Sequence, residues 1–247
     1  TVSPIVAFDD VTLPTKTLEG TEVYVTGDSF LSGVIKGTFT ELVPDTLEVF
    51  TLSNTNLTTL ISKNVFTDSD AKNVLSKKTF DKTTLAVAAS AEANQIEVES
   101  ATGLAVGSKI TIGTTDEKET VTISIIAGED VDFYPALEND HDADETVQEV
   151  TWSKDLNLGT TDTFITVGLK LEDKGGLTDT ETLVLSLDTT GPALTVNQVV
   201  YPIGATSARA EDELIFDVSA VDALSGVDNV LFVEPSGPQL AAASAIN

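Results

Sequence analysis

Apolar and polar residues alternate along much of this chain with a period of two residues. Residues 21–26 (Thr-Glu-Val-Tyr-Val-Thr) and 180–187 (Thr-Glu-Thr-Leu-Val-Leu-Ser-Leu) show the pattern most clearly. Because successive side chains of a strand point to opposite faces of a sheet, this alternation predicts β-strands with one buried face. A short helix is expected after the polar turn at residues 68–71. A composition rich in Val, Ile, Leu and Thr predicts further strands at residues 5–11, 46–52, 57–61, 79–81 and 163–172.

Two segments share a phrase that runs from proline to proline. Residues 4–14 (Pro-Ile-Val-Ala-Phe-Asp-Asp-Val-Thr-Leu-Pro) and 192–202 (Pro-Ala-Leu-Thr-Val-Asn-Gln-Val-Val-Tyr-Pro) place apolar residues at matching positions. Further along, Leu-Ser-Gly-Val occurs at both 31–34 and 224–227. This internal repeat predicts that a second copy of the first structural unit begins at residue 191.

Residues 84–150 differ in character and indicate a module of their own. Alternating strands are expected within residues 96–112, at 119–125 and at 146–150, which suggests a small barrel or a compact sandwich. Gly103 and Gly107 mark a tight corner between strands, where a positive φ is expected. Residues 130–145 are interpreted as a strongly acidic loop.

The hairpin predicted within residues 163–187 turns at Asp-Lys-Gly-Gly (173–176) and ends in the linker Leu-Asp-Thr-Thr-Gly-Pro (187–192). Together these residues resemble the ends of bacterial and archaeal Ig-like domains, which occur in tandem on secreted and cell-surface proteins. In such domains the turn often reads Asp-x-x-Gly-Asn, and Gly176 stands where Asn is usual. Residues 216–222, followed by Ser-Gly-Val, are similar to the B–C region of the same domains. The resemblance covers about two thirds of the chain.

A second resemblance concerns the middle of the chain. Residues 100–112, then Glu-Thr-Val at 119–121, Pro-Ala-Leu at 135–137 and His141 resemble a small β-domain of phage structural proteins and microbial surface proteins. Relatives usually have small residues and Gly after the histidine, whereas this chain continues with the acidic run 142–145. The resemblance implies a fold and no activity.

These patterns predict an all-β protein: an Ig-like β-sandwich with an inserted small β-barrel or sandwich domain, followed by a partial second Ig-like sandwich. The first sandwich comprises residues 1–83 and 151–190, the insertion 84–150, and the incomplete second copy 191–247. A complete sandwich of this type takes about 100 residues and seven strands, whereas the second copy, counted from 191 to 247, has 57 residues. Either the chain continues past Asn247, which is the favoured interpretation, or a neighbouring molecule supplies the missing strands.

The chain carries a formal net charge of −27, from 40 acidic and 13 basic residues. This charge argues against nucleic acid as a partner, because binding to phosphates needs clustered Lys and Arg. Three interpretations stay open: the acidity keeps an exposed surface soluble, binds hard cations such as calcium, or suits a saline medium that screens self-repulsion. The chain has no Cys for disulfides or thiolate chemistry, and no apolar run predicts direct membrane insertion.

Calcium is the one cofactor that the sequence suggests. Asp140, Asp142 and Asp144 have the Asp-x-Asp-x-Asp spacing that can place alternate carboxylates around one cation. Glu145 and Thr151 stand where an EF-hand loop requires Gly and Glu, so this is no EF-hand. The alternative interpretation is a solvated acidic loop.

A second calcium hypothesis concerns the predicted domain junction. Asp173, Asp188 and Asp222 lie near the predicted turn, the linker and the second copy, and convergence of the three would provide carboxylate ligands between domains. Their alternative role is that of ordinary turn and linker aspartates, whose side chains hydrogen-bond to nearby backbone amides.

No arrangement of nucleophile and base can be assembled from this sequence, so no enzyme is predicted. The only histidine, His141, lies in an acidic run and is expected to be exposed. Trp152 is interpreted as a core residue rather than a ligand platform. Asn56 begins the only Asn-x-Ser/Thr sequon and is a candidate glycosylation site, the alternative being a chance match.

The resemblances favour a non-catalytic structural or interaction protein outside the cell, part of a surface layer (S-layer), filament or adhesin-like assembly. Its expected partners are other copies of itself or neighbouring surface proteins. Two alternatives stay open. The first is a phage or virus structural protein, such as a tail or decoration protein, and the second is a carbohydrate-binding accessory region of a secreted enzyme.

Overall fold

The structure is a computed structural model that describes residues 4–40, 44–80, 83–113, 117–201, 207, 214–222, 224, 227, 229–233 and 239–242. Within these residues the chain is all-β apart from one five-residue helix, α1 (Leu57–Ile61). The predicted all-β class is therefore confirmed. No helix in the described part of the chain is long and apolar enough to cross a membrane.

The described strands follow one another closely, and most are short. In chain order they are β1 (Ile5–Phe8), β2 (Thr15–Leu18), β3 (Thr21–Thr26), β4 (Phe30–Leu31), β5 (Lys36–Thr40), β6 (Pro44–Asn54), β7 (Asn73–Thr79), β8 (Thr83–Thr84), β9 (Gln95–Glu97), β10 (Lys109–Ile112), β11 (Glu119–Ala127), β12 (Asp130–Tyr134), β13 (Thr146–Glu149), β14 (Thr151–Ser153), β15 (Leu156–Asn157), β16 (Thr163–Asp173), β17 (Thr178–Leu187), β18 (Ala193–Val200), β19 (Ile215–Val221), β20 (Leu231–Val233) and β21 (Gln239–Ala242). The strands predicted at 21–26, 46–52, 163–172 and 180–187 are confirmed by β3, β6, β16 and β17.

One of the two six-stranded sheets, here called the large sheet, has the strand order β2-β3-β17-β16-β6-β7, and only its β3–β17 pair is parallel. A three-stranded sheet (β1-β5-β14) and a two-stranded sheet (β15-β4) share one buried apolar cluster with it. Strand β16 shows how the pattern builds this cluster, because Ile165, Val167, Leu169 and Leu171 occupy alternate positions and all belong to it. Burial stabilises the fold by about 1.5–3 kcal/mol for each such side chain. The arrangement is β-sandwich-like.

The other face of the large sheet is partly covered by α1, whose Leu57 and Leu60 are buried in a second cluster. A strand was expected at residues 57–61, and that prediction is wrong. The reason is local, since the side-chain oxygen of Asn56 caps the helix by accepting a hydrogen bond from the Thr59 amide at 2.8 Å.

The helix expected after residues 68–71 is likewise absent from the described chain, and that prediction is wrong too. A turn leads there directly into β7, which pairs with β6 from Thr46↔Thr79 to Thr51↔Asn73. Pairing with the edge of the long strand β6 thus stabilises these residues more than their weak helix propensity does.

Residues 83–149 form a separate sheet with the strand order β8-β13-β10-β11-β12-β9. An antiparallel bridge between Leu85 and Val98 joins the two ends of this order, which gives the sheet a barrel-like form. It encloses its own apolar cluster, whose buried members run from Leu85 to Val147. The strands predicted at 119–125 and 146–150 are confirmed by β11 and β13.

The acidic loop predicted at residues 130–145 begins as a strand, so that interpretation is wrong for its first five residues. Strand β12 pairs with both β11 and β9. Val131 and Phe133 are buried in the barrel cluster, while Asp130 and Asp132 alternate with them. The alternation of polar and apolar residues that predicts a strand is therefore present at residues 130–133, but the many aspartates favoured the interpretation as a loop.

A mostly buried ion pair ties the barrel-like unit to the large sheet. Lys78 of β7 pairs with Glu149 of β13, whose other carboxylate oxygen accepts a hydrogen bond from the Ser108 hydroxyl at 2.7 Å. The Phe39 amide of β5 also donates to the Val150 carbonyl at 3.0 Å. The unit therefore contacts the large sheet through this ion pair, and the chain that leaves the unit at Val150 is hydrogen-bonded to the three-stranded sheet.

Beyond residue 191, β18 and β19 form an antiparallel ribbon, and β20 pairs with β21. The two proline-bounded phrases of the repeat contribute β1 and β18. Leu224 is buried in the cluster beneath α1. Ser225 and Gly226 of the second Leu-Ser-Gly-Val, together with residues 202–206 and 243–247, lie outside the described residues. The three predicted domain boundaries stay predictions.

Candidate functional site

Three aspartates lie at the linker between the large sheet and the β18–β19 ribbon. Asp162 precedes β16, Asp188 follows β17 and Asp222 follows β19. They line a cavity of about 200 Å³, here called the junction cavity, together with Thr190, Gly191, Ala193, Val221 and Leu224. The structure thus brings Asp188 and Asp222 to one cavity, and it adds Asp162, which the sequence did not single out.

Asp162 organises the start of the linker. Its Oδ1 accepts hydrogen bonds from the Thr189 amide at 2.8 Å and from the Thr189 hydroxyl at 2.6 Å. Hydrogen bonds from the side chains of Thr189 and Thr190, and from the Thr189 amide, hold the pKa of the Asp162 carboxyl below its ordinary value. The carboxylate form is therefore the one that orders the linker.

Asp188 and Asp222 make similar local contacts. Asp188 Oδ1 accepts from the Thr190 amide at 3.3 Å, and the Asp188 amide donates to the Thr26 carbonyl at 2.9 Å. Asp222 Oδ1 accepts from the Leu224 amide at 3.1 Å. These are the contacts of turn and linker aspartates, made by carboxylates of the type that calcium binds.

Asp173 does not reach the junction cavity. It ends β16 at the far end of a hairpin that is paired from Thr163↔Leu187 to Glu172↔Thr178. Asp173 is level with Leu177, to whose carbonyl its amide donates, and Leu177 lies eleven residues before Asp188. Steps of about 3.3 Å along a strand therefore place Asp173 roughly 36 Å from Asp188. Its Oδ1 instead accepts from the Gly175 and Leu177 amides at 2.8 and 2.7 Å, which shapes the turn. The prediction that Asp173, Asp188 and Asp222 converge is therefore wrong for Asp173, whereas Asp188 and Asp222 do line one cavity.

The predicted alternation of carboxylates in residues 140–144 is broken by the backbone. Asp140 Oδ1 accepts from the Ala91 amide at 2.8 Å, while Asp144 has a φ of 67° and donates its amide to the Leu85 carbonyl. Asp142 accepts from the Glu145 amide through its carbonyl, in a turn. Among the described residues, no group of three or more His, Cys, Asp or Glu is arranged to hold a metal.

Calcium at the junction cavity stays a prediction, and thermal unfolding measures it. Calcium bound only to the native state, at about 100 times its Kd, would stabilise the fold by about 2.7 kcal/mol and raise the Tm by about 5–11 °C. Asp188→Asn should abolish that rise. Asp173→Asn, at the other end of the hairpin, is the matched control and should retain it. An unchanged Tm of the parent protein, with calcium or with chelator, rejects the hypothesis.

The predicted exposure of His141 is wrong. Only 1% of this residue is accessible. Its Nδ1 lies 2.7 Å from Glu145 Oε2 and its Nε2 lies 3.1 Å from Glu119 Oε1. A Cβ added at Gly113 would lie 2.9 Å from the imidazole Cε1, which shows how closely the ring is enclosed.

Glu119 is the centre of a hydrogen-bonded network at this end of the barrel-like unit. Besides His141, it accepts from the Glu138 and Asn139 amides, both at 2.7 Å, and from the Asn139 side chain at 3.1 Å. Burial raises the pKa of the Glu119 carboxyl, but these hydrogen bonds outweigh burial and hold the pKa below its ordinary value. The network fastens residues 138–145 to β11.

Acid should therefore destabilise the barrel-like unit. A depressed pKa in the folded state means that Glu119 contributes stability above the unfolded-state pKa of about 4.3, and this stability is lost as the pH falls through the folded-state value. Amide hydrogen exchange of Ile123, followed from pH 7 towards pH 3, measures it. Glu119→Gln should flatten the pH dependence, whereas Glu129→Gln, an exposed control on the same unit, should leave it unchanged. Equal pH dependence in the parent and Glu119→Gln proteins would contradict the assignment.

The remaining sequence candidates are placed as follows. Asn56 is exposed, and its side-chain oxygen already caps α1. Thr58 of the same sequon donates its hydroxyl to Glu19. Glycosylation at Asn56 stays a prediction. Trp152 is buried, with 6% of it exposed, in the apolar cluster shared by the large sheet and the two smaller sheets. Its predicted core position is therefore confirmed.

Comparison of the chain with family models, with curated proteins and with solved structures finds no match. The resemblances to Ig-like domains and to a phage-type β-domain therefore stay predictions.

Proposed function

We propose that this chain is a non-catalytic structural or interaction segment of a protein outside the cell, part of a surface layer, a filament or an adhesin-like assembly. In this proposal residues 1–83 and 151–190 form an interrupted Ig-like sandwich, 84–150 an inserted domain and 191–247 an incomplete second sandwich. The observation that carries the proposal is the apolar face of the β18–β19 ribbon.

The register of the ribbon sorts its side chains by face. The pairs Leu194↔Ala220, Val196↔Val218 and Val199↔Phe216 lie on one face, because the bulge between Val196 and Gln198 preserves this alternation. Leu194, Val196 and Phe216 are 60%, 56% and 45% exposed. The opposite face carries the polar pairs Thr195↔Ser219 and Gln198↔Asp217 at its centre, and the apolar pairs Ala193↔Val221 and Val200↔Ile215 at its two ends.

A two-stranded ribbon is at best marginally stable alone, and an exposed apolar patch marks a surface that another element covers. The β18–β19 ribbon thus favours a chain that works by assembly with further β-structure. The barrel-like unit supports the same role, because the Lys78–Glu149 ion pair joins it to the large sheet. A unit attached in this way can contact neighbouring molecules without any change in the β-sandwich-like part of the chain.

The acidic surface is consistent with this role. A net charge of −27 keeps an exposed surface soluble and limits non-specific association. It also selects for basic partners over acidic ones.

Immunogold electron microscopy with an antibody against the purified chain tests the proposal. Labelling of intact source cells in a lattice, along filaments or on surface projections is the expected result. Labelling of virions alone would favour the tail or decoration alternative. Labelling confined to the cell interior would overturn the proposal, and specific binding on a glycan array would favour the carbohydrate-binding alternative.

A further inference from the structure

A cleft opens at the edge of the β-sandwich-like unit, away from the junction cavity. It has a volume of about 740 Å³ and lies between β1 with the residues that follow it, β3, and the middle of β17. Here it is called the edge cleft. Its lining residues are Ala7, Phe8, Asp9, Asp10, Val11, Thr15, Thr21, Glu22, Tyr24, Glu181, Thr182, Leu183 and Val184.

The edge cleft exists because β3 pairs with β17 only over residues 185–187. Over residues 178–184, β17 has β16 on one side and no strand partner on the other among the described strands. Even and odd residues of β17 both line the cleft, so it runs along the strand's edge rather than over one face.

The hydrogen-bonding direction of β17 follows from its two ends. The Asp188 amide donates to Thr26 of β3, while the Leu177 carbonyl accepts from Asp173 on the β16 side. Because backbone groups alternate in direction along a strand, even-numbered residues face β3 and odd-numbered residues face β16. The amide and carbonyl of Thr182 and the amide of Val184 therefore face the edge cleft.

The opposite wall also presents a strand edge. The Asp9 amide donates to Lys36 of β5 at 2.9 Å, so the amides of Val6 and Phe8 face away from β5. In agreement, the Val6 amide donates to Asp179 Oδ2 at 2.9 Å. The cleft is thus bounded by two strand edges, one from β17 and one from β1.

The chemistry of the lining selects an occupant. Asp9, Asp10, Glu22 and Glu181 contribute four carboxylates, and none of the described lining residues is basic. Between them, Phe8, Val11, Leu183 and Val184 contribute apolar surface. An extended segment with alternating basic and apolar side chains would satisfy both, since its side chains point alternately to opposite sides.

We propose that the edge cleft binds an extended basic segment of a partner protein, which adds as a strand to the open edge of β17. Main-chain hydrogen bonds to Thr182 and Val184 supply affinity, and the four carboxylates supply selectivity for basic side chains. The net charge of −27 adds long-range attraction for such a partner. This inference rests on the proposed interaction role and names the chemistry of one partner.

The probe is an acetylated and amidated ten-residue peptide of alternating Lys and Val. Fluorescence anisotropy gives its Kd, and amide NMR shifts of the intact chain locate it. The expected result is saturable binding with shifts at Thr182, Val184 and Phe8. The same peptide with Glu in place of Lys, or N-methylated at every second residue, should bind at least about tenfold more weakly, because it lacks the charges or the backbone donors.

Variants test the cleft from the protein side. Glu22→Gln combined with Glu181→Gln should weaken binding about fivefold, as expected for two exposed charge pairs. Glu97→Gln combined with Glu129→Gln changes the net charge equally on exposed sites of the barrel-like unit and should change the Kd less than about twofold. Thr182→Pro removes an amide that faces the cleft and not β16, so it should abolish binding while the chain stays folded.

Three results would overturn the inference: equal weakening by the two charge-neutralised pairs, equal binding of the Glu peptide, or NMR shifts that lie outside the edge cleft. If Thr182→Pro fails to fold, the charge variants and the N-methylated peptide still decide. Immunogold localisation does not depend on this cleft. Failure of peptide binding would therefore leave the proposed cellular role standing, and failure of that role would leave the binding measurable.

Discussion

Replacing Leu169 with alanine should lower the free energy of unfolding by about 2–5 kcal/mol. Leu169 is fully buried at the centre of β16, and it belongs to the cluster shared by the large sheet and the two smaller sheets over it. Its backbone is paired on both sides, with Glu181 of β17 and Val49 of β6. The cavity left by the lost methyl groups cannot collapse easily, because strands on both sides hold the backbone in place.

Urea unfolding followed by the fluorescence of the single tryptophan, Trp152, measures this loss, since Trp152 lies in the same cluster. The matched control is Leu177→Ala. Leu177 is 36% exposed and follows the β16–β17 turn, so its truncation should cost less than about 1 kcal/mol. Similar losses for the two variants would mean that the shared cluster does not hold the layers together.

Gly37→Ala should be almost as damaging, although it adds one methyl group to a strand. Gly37 lies in β5 between β1 and β14, paired with Phe8 and Trp152. A Cβ at this position would lie 1.9 Å from the Ala7 carbonyl oxygen and 2.6 Å from Trp152 Nε1. Backbone cannot yield as a flexible side chain does, so β1 must move, at a cost of about 1–3 kcal/mol or more.

The Gly37→Ala variant should also alter Trp152 emission before any unfolding, because the indole must shift with β1. Gly191→Ala is the control. Nothing lies within 4 Å of a Cβ built at Gly191, and its φ is outside the left-handed region. An unchanged midpoint and unchanged emission for Gly37→Ala would contradict the close approach of these strands.

Where local pattern and tertiary setting agree, the sequence predicted the fold well. In β16 the alternating apolar residues predicted both the strand and its buried face. The turn after it was predicted from Asp-Lys-Gly-Gly, and Gly176 there has a φ of 82°. Both features depend on residues within one hairpin, whose pairing requires little loop closure.

The failures share a different cause. At residues 57–61 an apolar run was equally compatible with strand and helix, and the Asn56 cap decided for helix. At His141 an acidic neighbourhood predicted exposure, whereas Glu119, 22 positions away, surrounds the ring together with Glu145. Gly113 is consistent with a buried His141, because a larger residue there would collide with the imidazole. A single glycine also occurs in turns and bulges, so Gly113 alone does not predict that the histidine is buried.

The candidate sites were predicted only in part. The linker 187–192 directed attention to Asp188, and the structure places Asp188 and Asp222 at one cavity. Asp173 instead lies at the other end of the hairpin, and Asp162 lines the junction cavity although the sequence analysis did not select it. Sequence spacing cannot order such residues, because the distance between them depends on which strands are paired.

By itself the sequence determined the all-β class, the faces of the principal strands and the acidic, cysteine-free character of the chain. These follow from side-chain chemistry and from the two-residue period of a strand, both of which are local. Only the tertiary structure decided that β1 would face the middle of β17, that β3 would part from β17 after three residue pairs, and that the edge cleft would open between them. The physical reason is that this cleft joins residues about 170 positions apart, whose contact depends on the packing of whole sheets rather than on any pattern along the chain.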